Sequence, residues 1–156
     1  IRYPRGGDRV YTASAWLSDS SENSSVCVHA SGTDITIVTY GVLLDNVMRT
    51  VQILKAHNIS ASVLRLTQIA PLPVEEIMHK SESKTIYVVE ETSANCGIKD
   101  QLAWELLQAD SQFRVYGKDL GNQYVQHGDV DKLYEHYGLS GEAIAKSIME
   151  VIRSEN

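Results

Sequence analysis

Two stretches of this sequence carry residue types whose spacing could do chemistry. The first is the opening, IRYPRGGD, in which Arg2 and Arg5 lie three positions apart around Tyr3 and Pro4, with Gly6 and Gly7 following. A guanidinium fork binds phosphate or carboxylate through paired hydrogen bonds, and proline beside glycine can hold the backbone in a fixed, close approach. The residues alone leave two readings, an anion-binding segment or a plain surface loop. The second stretch is TIYVVEE, which ends in Glu90 and Glu91. Paired carboxylates at a strand end can serve as general acid and base. Neighbouring strand residues point to opposite faces, however, so the simpler role is a carboxylate that accepts hydrogen bonds from the amides of the following helix or loop.

The remaining reactive side chains form weaker patterns. The histidines at positions 29, 57, 79, 127 and 136 make no H-x-x-x-H or H-E-x-x-H pair, so no metal site is expected. His127 precedes Gly128 ahead of a helix whose N-terminus could attract an anion, but it reads more simply as part of a turn. TYGVLLDN holds one glycine, too few for a dinucleotide-binding loop, and no G-x-S-x-G elbow is present. Cys27 falls in a strand and reads as a small buried hydrophobe, whereas Cys96 lies in a loop without an activating neighbour. Two distant cysteines without metal spacing fit a reducing compartment, and a cytoplasmic location is expected.

These groups must be positioned by the elements around them. With 43% hydrophobic and 22% charged residues the chain has the composition of a globular domain, and its longest apolar runs are strand-sized. The net charge of −6, with cations scattered, makes nucleic acid and anionic membrane poor partners. LSDSSENSS, from Leu17 to Ser25, reads as a linker or mobile loop. Beyond it, SVCVHA, ITIVTYG, ASVLRL, TIYVVEE and FRVY are predicted as strands. Helical spacing appears at Leu44 to Leu54, at Val74 to Met78 behind Pro73, and at Ile98 to Leu106. Two closing helices are predicted, from about Asp129 to Tyr137 and from Ser140 to about Arg153, with Gly138 as the stop between them. Alternating strand and helix with near-continuous apolar strands specifies an α/β/α sandwich on a mostly parallel sheet of about five strands, the first at an edge.

Several segments together resemble one family in its own order. IRYPRG resembles the junction motif of 1-deoxy-D-xylulose-5-phosphate synthases, where the pyrimidine-binding domain meets the C-terminal domain. GTDITIVTYG, APLPVEEI, TIYVVEE and DLGNQYVQHGDVDKLYEHYGLSGEAI resemble four later segments of that family. Transketolases and pyruvate dehydrogenase beta subunits share several of these motifs. Pro73 stands where the family usually has Asp after Pro-Leu, Thr67 where Arg is common, and SANCGIKD is a reduced form of the glycine-rich loop.

The resemblance implies a three-layer α/β/α domain like the transketolase C-terminal domain, with one antiparallel edge strand. It implies that residues 1–6 end a pyrimidine-binding domain missing from this chain, 7–24 form a linker, and 25–156 form the C-terminal domain. The parent enzyme would use thiamine diphosphate and magnesium to join pyruvate to glyceraldehyde 3-phosphate, releasing carbon dioxide. The Gly-Asp-Gly motif that holds the cofactor, and the activating glutamate of the preceding domain, are not in this sequence. No catalytic, cofactor-binding or metal-binding residue is therefore assigned. The one residue carried over is Arg5, implied to bind the acceptor's phosphate. Implied partners are the cofactor-binding domains of the same or a partner chain, with a homodimer expected and the isolated chain inactive. A transketolase or 2-oxoacid dehydrogenase beta subunit, or a stand-alone regulatory domain of this fold, is the alternative.

Overall fold

The computed structural model describes residues 24–155. The expectations for Arg5, for the 1–6 junction and for nearly all of the linker lie outside these residues.

Apolar runs long enough to be buried on both faces become the inner strands. The described residues form a five-stranded sheet from β1 (Val26–Ala30), β2 (Ile35–Tyr40), β3 (Ala61–Leu66), β4 (Thr85–Val89) and β5 (Arg114–Lys118). Their spatial order is β1-β3-β2-β4-β5. The pairs β3–β2, β2–β4 and β4–β5 are parallel, and β1 runs antiparallel along β3 with Val26 opposite Leu66. This is the predicted sheet, including its single antiparallel edge strand.

Helices α1 (Leu44–Ala56), α2 (Val74–Lys80), α3 (Lys99–Ala109), α4 (Val130–Tyr137) and α5 (Gly141–Glu155) complete the sandwich. Alternate strand residues feed two separate cores. Ile35, Ile37, Val63, Tyr87 and Val89 pack beneath α1 and α5, and Val38, Leu64, Ile86 and Val88 pack beneath α2 and α3. Fully burying an Ile, Leu or Val side chain contributes roughly 1.5–3 kcal/mol, so these two layers dominate the fold's stability.

Local chemistry sets the helix boundaries where the sequence places them. Asn58 takes a left-handed conformation at φ 59°, and the amides of Asn58 and Ile59 return to the carbonyls of Lys55 and Leu54. Asp129 caps α4 by accepting from the Lys132 amide at 3.3 Å. Gly138, at φ 74°, ends α4, and the Leu139 amide closes on the Tyr134 carbonyl at 2.7 Å. The last strand begins one residue later than the predicted FRVY and runs two residues further, to Lys118. Phe113 precedes β5, is 6% exposed, and carries the Lys84 ammonium 4.0 Å above its ring.

The end of α5 is fastened to the amino end of the sheet. Glu155 accepts from the Thr85 hydroxyl at 2.9 Å, the Tyr116 hydroxyl at 3.2 Å and the Arg114 guanidinium at 3.4 Å. Replacing Glu155 by alanine strips one acceptor from three donors. The midpoint of urea unfolding should fall, by the equivalent of about 1–2 kcal/mol.

Candidate functional site

The strand order dictates where a ligand crevice belongs. From β2 the chain crosses through α1 to β3 on one side, whereas from β4 it crosses through α3 to β5 on the other. The connections therefore diverge at the carboxyl ends of β2 and β4, the topological switch point of an open α/β sheet. Tyr40 ends β2, and Glu90 and Glu91 follow β4 directly.

The two acids point to opposite faces, as a strand requires. Glu90 is 2% exposed. Its Oε2 accepts the Ile98 amide at 2.8 Å and the Tyr40 hydroxyl at 3.2 Å, and its Oε1 accepts the Lys99 amide at 3.4 Å. Glu90 is thus the carboxylate that satisfies free amides at the start of α3, the simpler of its two predicted roles. Burial, then the Glu90 carboxylate, pushes the Tyr40 hydroxyl well above the ordinary tyrosine range. Gly97 lies flush against this carboxylate: a Cβ there would come 1.9 Å from Glu90 Oε2. Glu91 is exposed and accepts the Tyr134 hydroxyl from α4 at 3.1 Å. The acid pair is divided between two helical layers and does not converge on one reacting group.

The neighbouring loops are tied together at the same rim. The amides of Leu120 and Ala94 pair with the carbonyls of Thr92 and Gly121 at 2.9 and 3.0 Å, continuing the β4–β5 ladder beyond the strands. Lys99 bridges to Asp119 at 2.8 Å, and Asp119 also accepts the Gly121 amide at 2.9 Å. On the β3 side, the Thr67 amide donates to the Ser25 carbonyl at 3.0 Å and its hydroxyl donates to the Ser24 carbonyl at 3.3 Å. Ser24 is held in turn by Glu76 and Lys80 of α2, with Lys80 Nζ 2.7 Å from its hydroxyl.

Sequence reasoning passed over Arg65. It is 5% exposed, near the carboxyl end of β3 beside Thr39, and with Glu90 it makes up the buried charged residues among those described. The available signal was an arginine inside a largely apolar strand, because a buried guanidinium is tolerated only with compensating partners. His127 is exposed in a bend and does not cap α4, Cys27 is buried, and Cys96 is exposed in its loop.

These residues do not fit a magnesium–diphosphate group. The Glu90 oxygens are committed to two amides and a hydroxyl, and among the described residues no three His, Cys, Asp or Glu side chains converge as ligands. No described helix is long and apolar enough to cross a membrane.

The rim carries a pH signature. Burial opposes ionisation of Asp119 and Glu76, but hydrogen bonds from Lys99 and Gly121, and from Lys80, Ser24 and Ser25, outweigh it and hold both carboxyls below their ordinary values. A depressed carboxyl stabilises the fold above its unfolded pKa, and that contribution is lost as pH falls through the folded one. Tyr40 and Tyr87 are both raised by burial first, so their contribution is lost as pH rises beyond the unfolded tyrosine value of about 10. Stability against thermal unfolding should therefore fall below about pH 4 and above about pH 10. Asp119→Asn should flatten the acid limb, and Tyr40→Phe the alkaline one.

Comparison with known proteins agrees with this architecture. The profile of the family described as "Transketolase, C-terminal domain" matches residues 25–144. A 1-deoxy-D-xylulose-5-phosphate synthase of Caldanaerobacter subterraneus subsp. tengcongensis is 29% identical over 151 residues, covering 96% of this chain and 24% of that protein. A putative transketolase C-terminal section of Methanocaldococcus jannaschii is 32% identical over 124 residues, covering 80% of this chain and 39% of that protein. Among solved structures, a split-gene transketolase described as an inactive beta4 tetramer superposes with a TM-score of 0.70 at 22% identity, covering 82% of this chain and 42% of that one. The chain thus spans about a quarter to two fifths of the length of these curated relatives. The matched profile, the five-stranded sheet with one antiparallel edge and the order of the helices together place this chain in the transketolase C-terminal domain family.

Proposed function

We propose that this chain is the C-terminal domain of a thiamine-diphosphate-dependent transferase resembling 1-deoxy-D-xylulose-5-phosphate synthase. The reaction would join pyruvate to glyceraldehyde 3-phosphate, giving 1-deoxy-D-xylulose 5-phosphate and carbon dioxide. The observation that carries this reading is the reach of the similarity. Two synthases match over 96% and 97% of the chain, so these matches take in most of the first 23 residues. Two transketolase relatives match over 80% and 78%.

In this reading the chain's own contribution is binding and shape. Arg5 holds the acceptor's phosphate at the mouth of the active site, through the fork geometry that suits phosphate. Glu90 and Tyr40 are positioning residues that fix the start of α3 and the loop before it. Thiamine diphosphate and magnesium belong to domains outside this chain, and the cofactor supplies the electron sink for decarboxylation there. The isolated polypeptide does not turn over, and the assembled enzyme is a homodimer.

A second reading has a specific observation behind it. The M. jannaschii relative, and one of the subunits of an apulose-4-phosphate transketolase from Phocaeicola vulgatus, are named as transketolase parts and are 32% and 30% identical. The chain would then complete a transketolase, or a related 2-oxoacid dehydrogenase beta subunit. The complete protein, with its upstream domains, should be assayed for ligation of pyruvate to glyceraldehyde 3-phosphate and for ketol transfer from xylulose 5-phosphate. Ligation without ketol transfer is the expected result; ketol transfer alone would overturn the synthase reading.

A further inference from the structure

A cavity of about 240 Å3 lies on the α5 side of the sheet, where the end of β5 meets the α4–α5 turn, lined by Lys118, Gly138, Lys146, Ser147 and Glu150 among others. Two of the lining residues are lysines. Among the described residues neither Lys118 nor Lys146 makes an ion pair, although five other pairs are formed. The acid next to Lys118 in sequence, Asp119, is already committed to Lys99 and to the Gly121 amide.

The position of Lys118 is built into the backbone. A Cβ on residue 138 would come 2.9 Å from Lys118 Cε and 3.4 Å from its Nζ. Glycine there clears a channel for the lysine stem, besides supplying the left-handed turn, and so keeps the ammonium at the cavity. Ser147 is fixed as well. Its hydroxyl oxygen accepts from the Tyr87 hydroxyl at 2.7 Å, and Tyr87 is 1% exposed, so Ser147 keeps its own proton to donate. Two lysines and one hydroxyl donor therefore line the cavity with a single acid, Glu150; Lys146 and Glu150 are exposed on α5.

We propose that this cavity binds a small phosphate monoester that carries a free hydroxyl. Lys118, Lys146 and Ser147 take the phosphate oxygens, and Glu150 accepts from the ligand's hydroxyl. The carboxylate is what separates a monoester from a bare anion, because Glu150 repels inorganic phosphate and rewards a hydroxyl donor. The site draws on none of the residues assigned above to the proposed reaction.

Amide NMR titrations of the 156-residue chain at constant ionic strength test this directly, with sn-glycerol 3-phosphate and inorganic phosphate as probes. Saturable shifts at Gly138 and Ser147 are expected with glycerol phosphate, and weaker ones with inorganic phosphate. Lys118→Gln and Lys146→Gln should each weaken glycerol phosphate binding about tenfold or more, while Lys84→Gln leaves it unchanged. Glu150→Gln should move the two probes in opposite directions, weakening the monoester and strengthening inorganic phosphate. Circular dichroism confirms that each variant is folded, and the neutral lysine variants retain most of the side-chain volume. Non-saturating shifts, or affinity that survives both lysine substitutions, overturn the site. Strengthening of both probes by Glu150→Gln overturns the monoester assignment. No readout depends on turnover, so failure here is separable from failure of the proposed reaction.

Discussion

Gly97→Ala is expected to be among the most damaging single-methyl additions in the domain, lowering unfolding free energy by about 2–4 kcal/mol. The new Cβ would sit 1.9 Å from Glu90 Oε2, closer than any side chain can approach, so the carboxylate has to move. Moving it takes the acceptor away from the Ile98 and Lys99 amides and leaves a nearly inaccessible charge with poorer partners. A double-mutant cycle in urea separates this from a general objection to alanine in the loop. In a Glu90→Ala background the clash has no partner, and most of the Gly97→Ala penalty should disappear. Additive penalties would show that Gly97 matters for another reason.

On the proposed synthase reading, Arg5→Ala, made in the complete enzyme, should raise the KM for the phosphorylated acceptor about 10–100-fold, the range expected for loss of a charged hydrogen-bonding fork. Pyruvate carries no phosphate, and its KM should stay within about twofold. Steady-state kinetics with each substrate varied in turn gives the answer. Equal effects on both substrates would sink the assignment, since a phosphate contact cannot weaken a substrate that lacks the group. Arg5→Lys should recover only part of the loss, because an ammonium retains charge without the planar fork.

What the sequence disclosed follows from which signals are local. ITIVTY is apolar on both faces, and that continuity specifies a strand covered on both sides wherever it ends up in the sheet. The change of period at Leu44 and the glycine at 138 likewise mark a helix and its end without reference to anything distant. Neighbour relations behave differently. Tyr40 and Glu90 are fifty positions apart and meet only because β2 and β4 are adjacent, a fact carried by the strand order and not by either segment. Arg65 was missed for a related reason. A charged residue within a strand normally marks the solvent face, and β3 has no solvent face: all six of its residues are buried. The direction of β1 was available only through family resemblance, since an alternating edge strand reads the same in either direction.

That direction has a practical consequence for anyone building with this domain. Because β1 runs against β3, Val26 lies beside Leu66 at the rim where Tyr40, Glu90 and Glu91 gather, and Ser24 and Ser25 are stitched to Thr67 there. The last turn of α5 is bound instead to Thr85 and Arg114, at the far side of the sheet. The two ends of the folded unit thus face away from each other, separated by about 17–20 Å of strand. A reporter or affinity handle grafted behind Glu155 keeps clear of the rim, whereas one grafted ahead of Ser24 is delivered straight onto it.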